Sequence, residues 1–196
     1  TCNTHAIHIQ CTSFVAAAGP WTNECKSWGS PFDKLPQIEG LKAHSILFEA
    51  NTDAAALFVE LNNGKEIEYY PRPDGTLYVC GEGEDDSSMI EEIPGKEQVE
   101  NGRINLLRKN CTTISSIFGD DDKHVLREAA CHLPVVISST GSPIICEIDK
   151  GSKCFVATGH SCWGILQSPG TGKVLSELIA GCETSVDMKD FQIPAT

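Results

Sequence analysis

The sequence predicts an α+β fold, and three observations carry that expectation. Four short runs of β-branched and aromatic residues follow one another closely between His44 and Glu82, a spacing that closes an antiparallel sheet. Ile104, Leu107, Cys111, Ile114 and Phe118 then recur at steps of three and four, which lays one apolar stripe along a helix. The chain closes on a strand, a glycine-containing loop and a second helix, "KCFVATGHSCWGILQSPGTGKVLSELIAG".

Taken in order, "IHIQCTSFVAAAG" reads as a buried strand that breaks at Gly19-Pro20. "PWTNECKSWGSPFDKLPQIEG" is rich in turn residues and reads as a connecting loop with a helical turn near Thr22 to Ser27. The strands "HSILFEA", "AALFVELN", "EIEYYPRP" and "TLYVCGE" follow, the last two joined through Pro73-Asp74-Gly75, where fixed φ and glycine freedom make a tight turn. The helix is expected from Val99 to Phe118, ended by "GDDD". Two more strands, "HVLREAACHLPVVISS" and "SPIICEI", are separated at Thr140-Gly141. In the closing helix Val174, Leu175, Leu178 and Ile179 share a face, and Gly181 is placed to cap its end.

Composition narrows the class. The 196 residues suffice for one domain or two small lobes, and a hydrophobic share of 40% with 21% charged residues is ordinary for a globular chain. No apolar run approaches the ~20 residues of a membrane-spanning helix. A formal charge of -12 and a pI near 4.8 speak against a nucleic-acid partner, which needs clustered Lys and Arg; acidic runs such as "GEGEDDSS" and "GDDDK" read as solvated surface. The ten cysteines stand singly, with no Cys-x-x-Cys pair, and several lie in apolar strings (Cys11, Cys80, Cys146, Cys154), where a thiol behaves as a small hydrophobe. That pattern leads to an intracellular, cytoplasmic, reducing location and no metal site. "NCT" at Asn110 falls in the helical segment, so its match to a glycosylation acceptor is taken as chance. The chain starts without Met directly in strand-like sequence, and the expectation is the later part of a longer protein.

The glycine loop admits three readings. A nucleoside-triphosphate loop is excluded at "SPGTGKV", because Gln167 stands where a glycine is required and Val174 where a Ser or Thr would hold magnesium. A purely structural strand-to-helix turn remains open. So does a cofactor seat: a strand ending in small residues lets a planar ligand approach the backbone, and a following helix, expected to start near Pro169 to Thr171, directs its N–H groups at negative charge. Such a helix favours an anion by ~0.3–1 kcal/mol.

"ATGHSCWGILQSPGTGKVLSELIAG" resembles the C-terminal flavin-contacting segment of the D-amino-acid-oxidase-like FAD-dependent oxidoreductases, the group that includes glycine and sarcosine oxidases. "SFVAAAGPWT" is similar to that group's Ala-Ala-Gly-x-Trp strand, "EYYPRPDGTLYVCGE" to a motif of its substrate-domain sheet, and "LPVVISSTGSPIICEI" to the segment leading into its last FAD strand. The set looks closest to an uncharacterised oxidoreductase branch and covers nearly the whole chain. The resemblance implies a partial FAD-binding domain from residues 1–39 and 137–196, around an antiparallel substrate domain with a packed helix from 40–136. It implies Ala17, Ala18, Gly19 and Trp21 along the FAD, and Gly159, His160, Trp163, Gly164 and Ile165 near the isoalloxazine. Tyr70 and Arg72 are the candidates on the substrate side, and Tyr70, Arg72 and His160 the candidate catalytic residues. Each also fits a plainer role: Trp21 and Trp163 as core aromatics, His160 as a hydrogen-bonded loop residue, Arg72 as a surface arginine, and Cys162 as either a packed thiol or a covalent flavin attachment.

The implied chemistry is hydride transfer from a carbon bearing an amine to flavin N5, with dioxygen as reoxidant and a small amine or amino-acid-like substrate as partner. Two departures qualify it. No Gly-x-Gly-x-x-Gly, the group's pyrophosphate fingerprint, occurs in the chain, so an N-terminal nucleotide-binding segment is expected to be missing. Leu133, Thr140 and Cys146 stand where the group's amino-acid oxidases often carry Arg, Asp and Gly, which points to an amine other than an amino acid. The alternative function is a non-catalytic binding or scaffold module that keeps the fold without a working flavin site.

Overall fold

Two hydrophobic clusters organise the chain, one in each of two units: Thr1–Ile38 with Pro134–Thr196, and Glu39–Leu133. The computed structural model describes residues 8–194 apart from 51, 53–54, 63, 84–86, 92, 116–123 and 138–140. Phe118 of the expected helical stripe, the "GDDDK" run, the centre of "GEGEDDSS" and Thr140 fall outside the described residues.

The second unit is a five-stranded sheet in the order β3-β4-β5-β2-β6. Its strands are β2 (Ile38–Glu49), β3 (Leu57–Glu60), β4 (Glu66–Pro71), β5 (Thr76–Gly83) and β6 (Val125–Val136). β3, β4, β5 and β2 pair antiparallel, as the short connections require. Along β2 burial alternates residue by residue, so Ile46 and Phe48 face inward with Ile67 and Tyr69 of β4 and Leu77 and Val79 of β5. Against that face lies α1 (Asn101–Ile114), which buries Ile104, Leu107 and Cys111, three members of the expected stripe. Its first turn has no side-chain cap; the N–H of Glu100, the residue before it, donates to Nε2 of the fully buried His44 at 3.1 Å.

β2 begins six residues earlier than "HSILFEA" predicts, because Gly40 was read as the end of a turn segment. Here the glycine serves close approach: a Cβ on Gly40 would lie 2.5 Å from Ile90 Cδ1 and 2.9 Å from His132 Nδ1. The same position exchanges two backbone hydrogen bonds with Ser88, at 2.8 and 3.0 Å. α1 ends at Ile114, before the expected Phe118.

The first unit is built on a three-stranded sheet ordered β1-β8-β7, from β1 (Phe14–Ala16), β7 (Ile144–Glu147) and β8 (Cys154–Thr158). β1 runs parallel to β8, and β7 antiparallel to it. β1 is much shorter than the run from Ile7 to Gly19 suggested, since residues 8–13 make no strand pairing and Gly19 turns the chain at φ +54°. The loop after it is more ordered than expected: Gly19–Trp28 winds as 3-10 turns, and Asn23 clamps Ile38 by accepting from its N–H at 3.0 Å and donating to its carbonyl. Ala16, Cys25, Phe32, Leu35, Ile38, Val136, Ile144, Cys146, Ile148 and Val156 form the core. α2 (Gly164–Ala180) closes on Gly181 at φ +69°, whose cap takes the Cys182 N–H to the Glu177 carbonyl at 2.9 Å, as the sequence foretells.

α2 starts at Gly164, not near Pro169 to Thr171. A proline six residues in removes one N–H from the helix ladder. Ser168 compensates: its hydroxyl donates at 2.9 Å to the Ile165 carbonyl, the acceptor that a residue other than proline at 169 would have used. Of the cysteines read as buried, Cys146 is, Cys80 and Cys154 are half-buried, and Cys11 is exposed; all nine described thiols are free.

Candidate functional site

Parallel pairing brings the two small-residue strand ends side by side. Phe14, Val15 and Ala16 pair with Cys154, Phe155 and Val156, and the Thr158 hydroxyl reaches the Gly19 carbonyl at 2.9 Å where both strands end. Ala17 is exposed there, while Ala18 and Gly19 are half-buried. Trp21 follows in the 3-10 turn, half-buried, its N–H donating to the Ala18 carbonyl at 3.1 Å. A ligand bound beyond the carboxyl ends of parallel strands is the usual arrangement in open α/β sheets.

Both turns are conformationally specialised. Gly159 sits at φ +81°, and a Cβ there would run into Val136 Cγ2, so the loop demands glycine twice over. Ser161 also takes positive φ, at +50°. His160, half-buried, places Nε2 3.0 Å from Thr171 Oγ1, which ties the loop to the second turn of α2. Burial pushes its imidazole below the ordinary histidine range and favours the neutral ring.

The start of α2 is apolar and open. Trp163 is 57% exposed and Ile165 93%, with Leu166 exposed beside them. No side-chain hydrogen bond caps the helix, which follows directly on a 3-10 turn at Ser161–Trp163. Gly164 has ordinary helical φ, and the nearest atom to a Cβ there is His160 Cβ at 3.8 Å, so the protein itself has room for a side chain. The residues at the two strand ends fit the ring end of a flavin: bare backbone, an uncapped helix start for an anionic edge, and exposed aromatic and aliphatic surface for a planar face. Cys162 is exposed rather than packed.

Tyr70 and Arg72 belong to the other unit. Tyr70 lies near the end of β4 and Arg72 just past it, and both meet a residue that sequence reasoning passed over: Tyr78 pairs with Tyr70 across the strands, and the Arg72 guanidinium lies 5.2 Å from the Tyr78 ring centroid. The hairpin is closed by Arg72 N–H to the Thr76 carbonyl at 2.8 Å. The Pro73-Asp74-Gly75 turn and the period of two in "TLYVCGE" fix that register, and could have found Tyr78. Thr22 and Thr158 were likewise missed, for no sequence signal brings residues 136 apart to one carbonyl.

Residues 1–178 match the family described as FAD dependent oxidoreductase, DAO. The curated relatives include "Putative oxidoreductase C1F5.03c" of Schizosaccharomyces pombe, 35% identical over 94% of this chain and 46% of its own length. "Putative oxidoreductase TDA3" of Saccharomyces cerevisiae is 33% identical over 90% of this chain and 33% of its own. The chain thus spans less than half the length of these relatives. Among solved structures, glycine oxidase from Geobacillus kaustophilus superposes with a TM-score of 0.74 at 19% identity, covering 94% of this chain and 45% of that one, which shows a shared fold.

Proposed function

This chain belongs to the DAO family of FAD-dependent oxidoreductases, and from that premise we propose that the full-length protein oxidises a C–N bond of an amine or amino-acid-like substrate at the ends of β1 and β8. The observation that carries this reading is the juxtaposition of Gly19 and Gly159 next to the uncapped start of α2. Ala17, Ala18, Gly19 and Trp21 on one side, and Gly159, His160, Trp163, Gly164 and Ile165 on the other, hold the flavin in this reading. The 1–39 and 137–196 segments act as the cofactor side and 40–136 as the substrate side. The glycine oxidase likeness supports the choice of a C–N substrate, and the non-catalytic alternative gains no support.

FAD supplies the hydride acceptor for the substrate carbon. The chain's own contribution is positional and electrostatic. First-turn N–H groups of α2 favour negative charge at the flavin edge by ~0.3–1 kcal/mol. Neutral His160 offers a hydrogen bond without adding positive charge. Arg72, its guanidinium carbon 5.2 Å from the Tyr78 ring centroid, presents a guanidinium fork on the substrate side beside Tyr70. Free thiols favour a reducing, cytoplasmic setting, and no helix among the described residues is long and apolar enough to cross a membrane.

The test is spectroscopic. The purified full-length protein is expected to be yellow, absorbing near ~450 nm, and to bleach anaerobically when its amine substrate is added. A colourless protein that cannot be reconstituted with FAD overturns the reading.

A further inference from the structure

Among the described residues of the first unit, Thr22 and Thr158 are fully enclosed hydroxyls, at 0% and 1% exposure. They meet each other at 2.9 Å, and both reach one acceptor, the Gly19 carbonyl, at 2.7 Å from Thr22 and 2.9 Å from Thr158. Two hydroxyl protons serve three short oxygen–oxygen contacts, so the protons settle into one of a few alternative patterns and every pattern keeps Gly19 tied. The tie crosses between the chain's two separate strand ends: Thr22 follows β1, and Thr158 is the last residue of β8. Gly19, at φ +54°, has no Cβ contact to hold it, because nothing lies within 4 Å of where its Cβ would be. The Gly19 turn is thus held by the two hydroxyls together with the Trp21 N–H, which donates across it to the Ala18 carbonyl at 3.1 Å. Gly159, the next residue after Thr158, is fixed differently, by the closeness of Val136 and Pro143.

We propose that the Thr22–Thr158 pair is a positioning device for the flavin: it locks the Gly19 turn at a set distance from the Gly159 turn, and so sets the slot into which the cofactor's ring end fits. This rests on the flavin reading above. An aliphatic pair of the same size would fill the same volume but leave the Gly19 carbonyl without its two hydroxyl donors and cut the tie between that turn and the end of β8. Thr158→Val removes one donor at almost constant volume, and Thr158→Ser keeps the donor while removing a methyl group.

The experiment uses the full-length protein and FAD itself. Apo-protein is titrated with FAD, following flavin fluorescence, and the visible spectrum and reduction potential of the bound flavin are recorded for wild type, Thr158→Val, Thr158→Ser and Thr22→Val. The expected result is an FAD dissociation constant raised about tenfold in Thr158→Val, with an altered flavin band or potential, and recovery to within about threefold of wild type in Thr158→Ser. Thr22→Val, which leaves the Thr158 hydroxyl on Gly19, is expected to lie between, and serves as the measured variant if Thr158→Val does not fold. Valine variants that melt lower yet bind FAD with wild-type affinity, spectrum and potential overturn the proposal and leave the pair as ordinary core. A wild-type protein that binds no FAD overturns the flavin reading itself, a result separable from the first because it appears before any substitution is made.

Discussion

Gly159, in the loop after β8, and Gly164, the first residue of α2, stand five residues apart, yet the fold needs only one of them. Gly159→Ala places a Cβ against Val136 in a left-handed conformation, and the expected cost is roughly 2–4 kcal/mol of unfolding free energy by denaturant titration. Adding Val136→Ala to that variant should recover the part due to collision; no recovery would show that backbone strain alone is at work. Gly164→Val meets only His160 Cβ at ordinary contact distance, so its stability should change by no more than about 1 kcal/mol while FAD affinity falls at least tenfold in the full-length protein. Unchanged affinity would remove Gly164 from the site. Both glycines were singled out from sequence as flavin neighbours, but the difference between them was not legible, because it depends on Val136, 23 residues away in sequence and adjacent only after folding. His160 was legible as a candidate and its partner Thr171 was not. Since burial lowers the His160 pKa, the unfolded chain binds the extra proton first as pH falls. The stability this residue contributes is therefore complete above its ordinary value near ~6.5 and is lost as pH drops through the lower folded value. His160→Gln should flatten the melting-temperature profile over that interval; an unaltered slope would assign the acid sensitivity elsewhere.

At the scale of elements, sequence pattern located strands and helices well wherever side-chain period decided the outcome, and less well where glycine or proline did. The hairpin from Glu66 to Gly83 and the helical faces of Ile104, Leu107 and Cys111 follow from alternation and from three-four spacing. β2 was shortened because Gly40 resembles a turn residue, although the structure uses it to admit Ile90 and His132. α2 was shortened because Pro169 resembles a helix start, although Ser168 repairs the ladder it interrupts. The same helix carries Gly170 and Gly172 in open space with no positive φ, so neither is required by the backbone of this chain. Gly170→Ala is expected to stabilise the chain by about 1 kcal/mol, read as a higher denaturant midpoint at unchanged slope. A loss of stability instead would mean that the glycine makes room for something the helix packs against.

For the whole molecule, the decisive quantity is how much of a flavin these two strand ends hold by themselves. In the proposed reading the strand ends hold the ring end, but no Gly-x-Gly-x-x-Gly occurs in the sequence to receive a pyrophosphate on a helix start, and the chain covers 46% and 33% of its curated relatives' lengths. Binding energy for a dinucleotide is spread along its length, so a seat for one end gives up most of it. In the proposed reading, a longer protein that adds a pyrophosphate site to these residues should therefore gain stability from FAD according to mass action, about 2.7 kcal/mol at a hundred times the dissociation constant, seen as a raised melting temperature. The 196-residue chain alone should show no such shift at the same FAD concentration. If the chain alone is stabilised equally, β1, β8 and α2 are a complete flavin seat, and the pyrophosphate contributes little. If neither protein responds, the strand ends do not bind flavin at all, and the bare glycines there answer only to the turns they make.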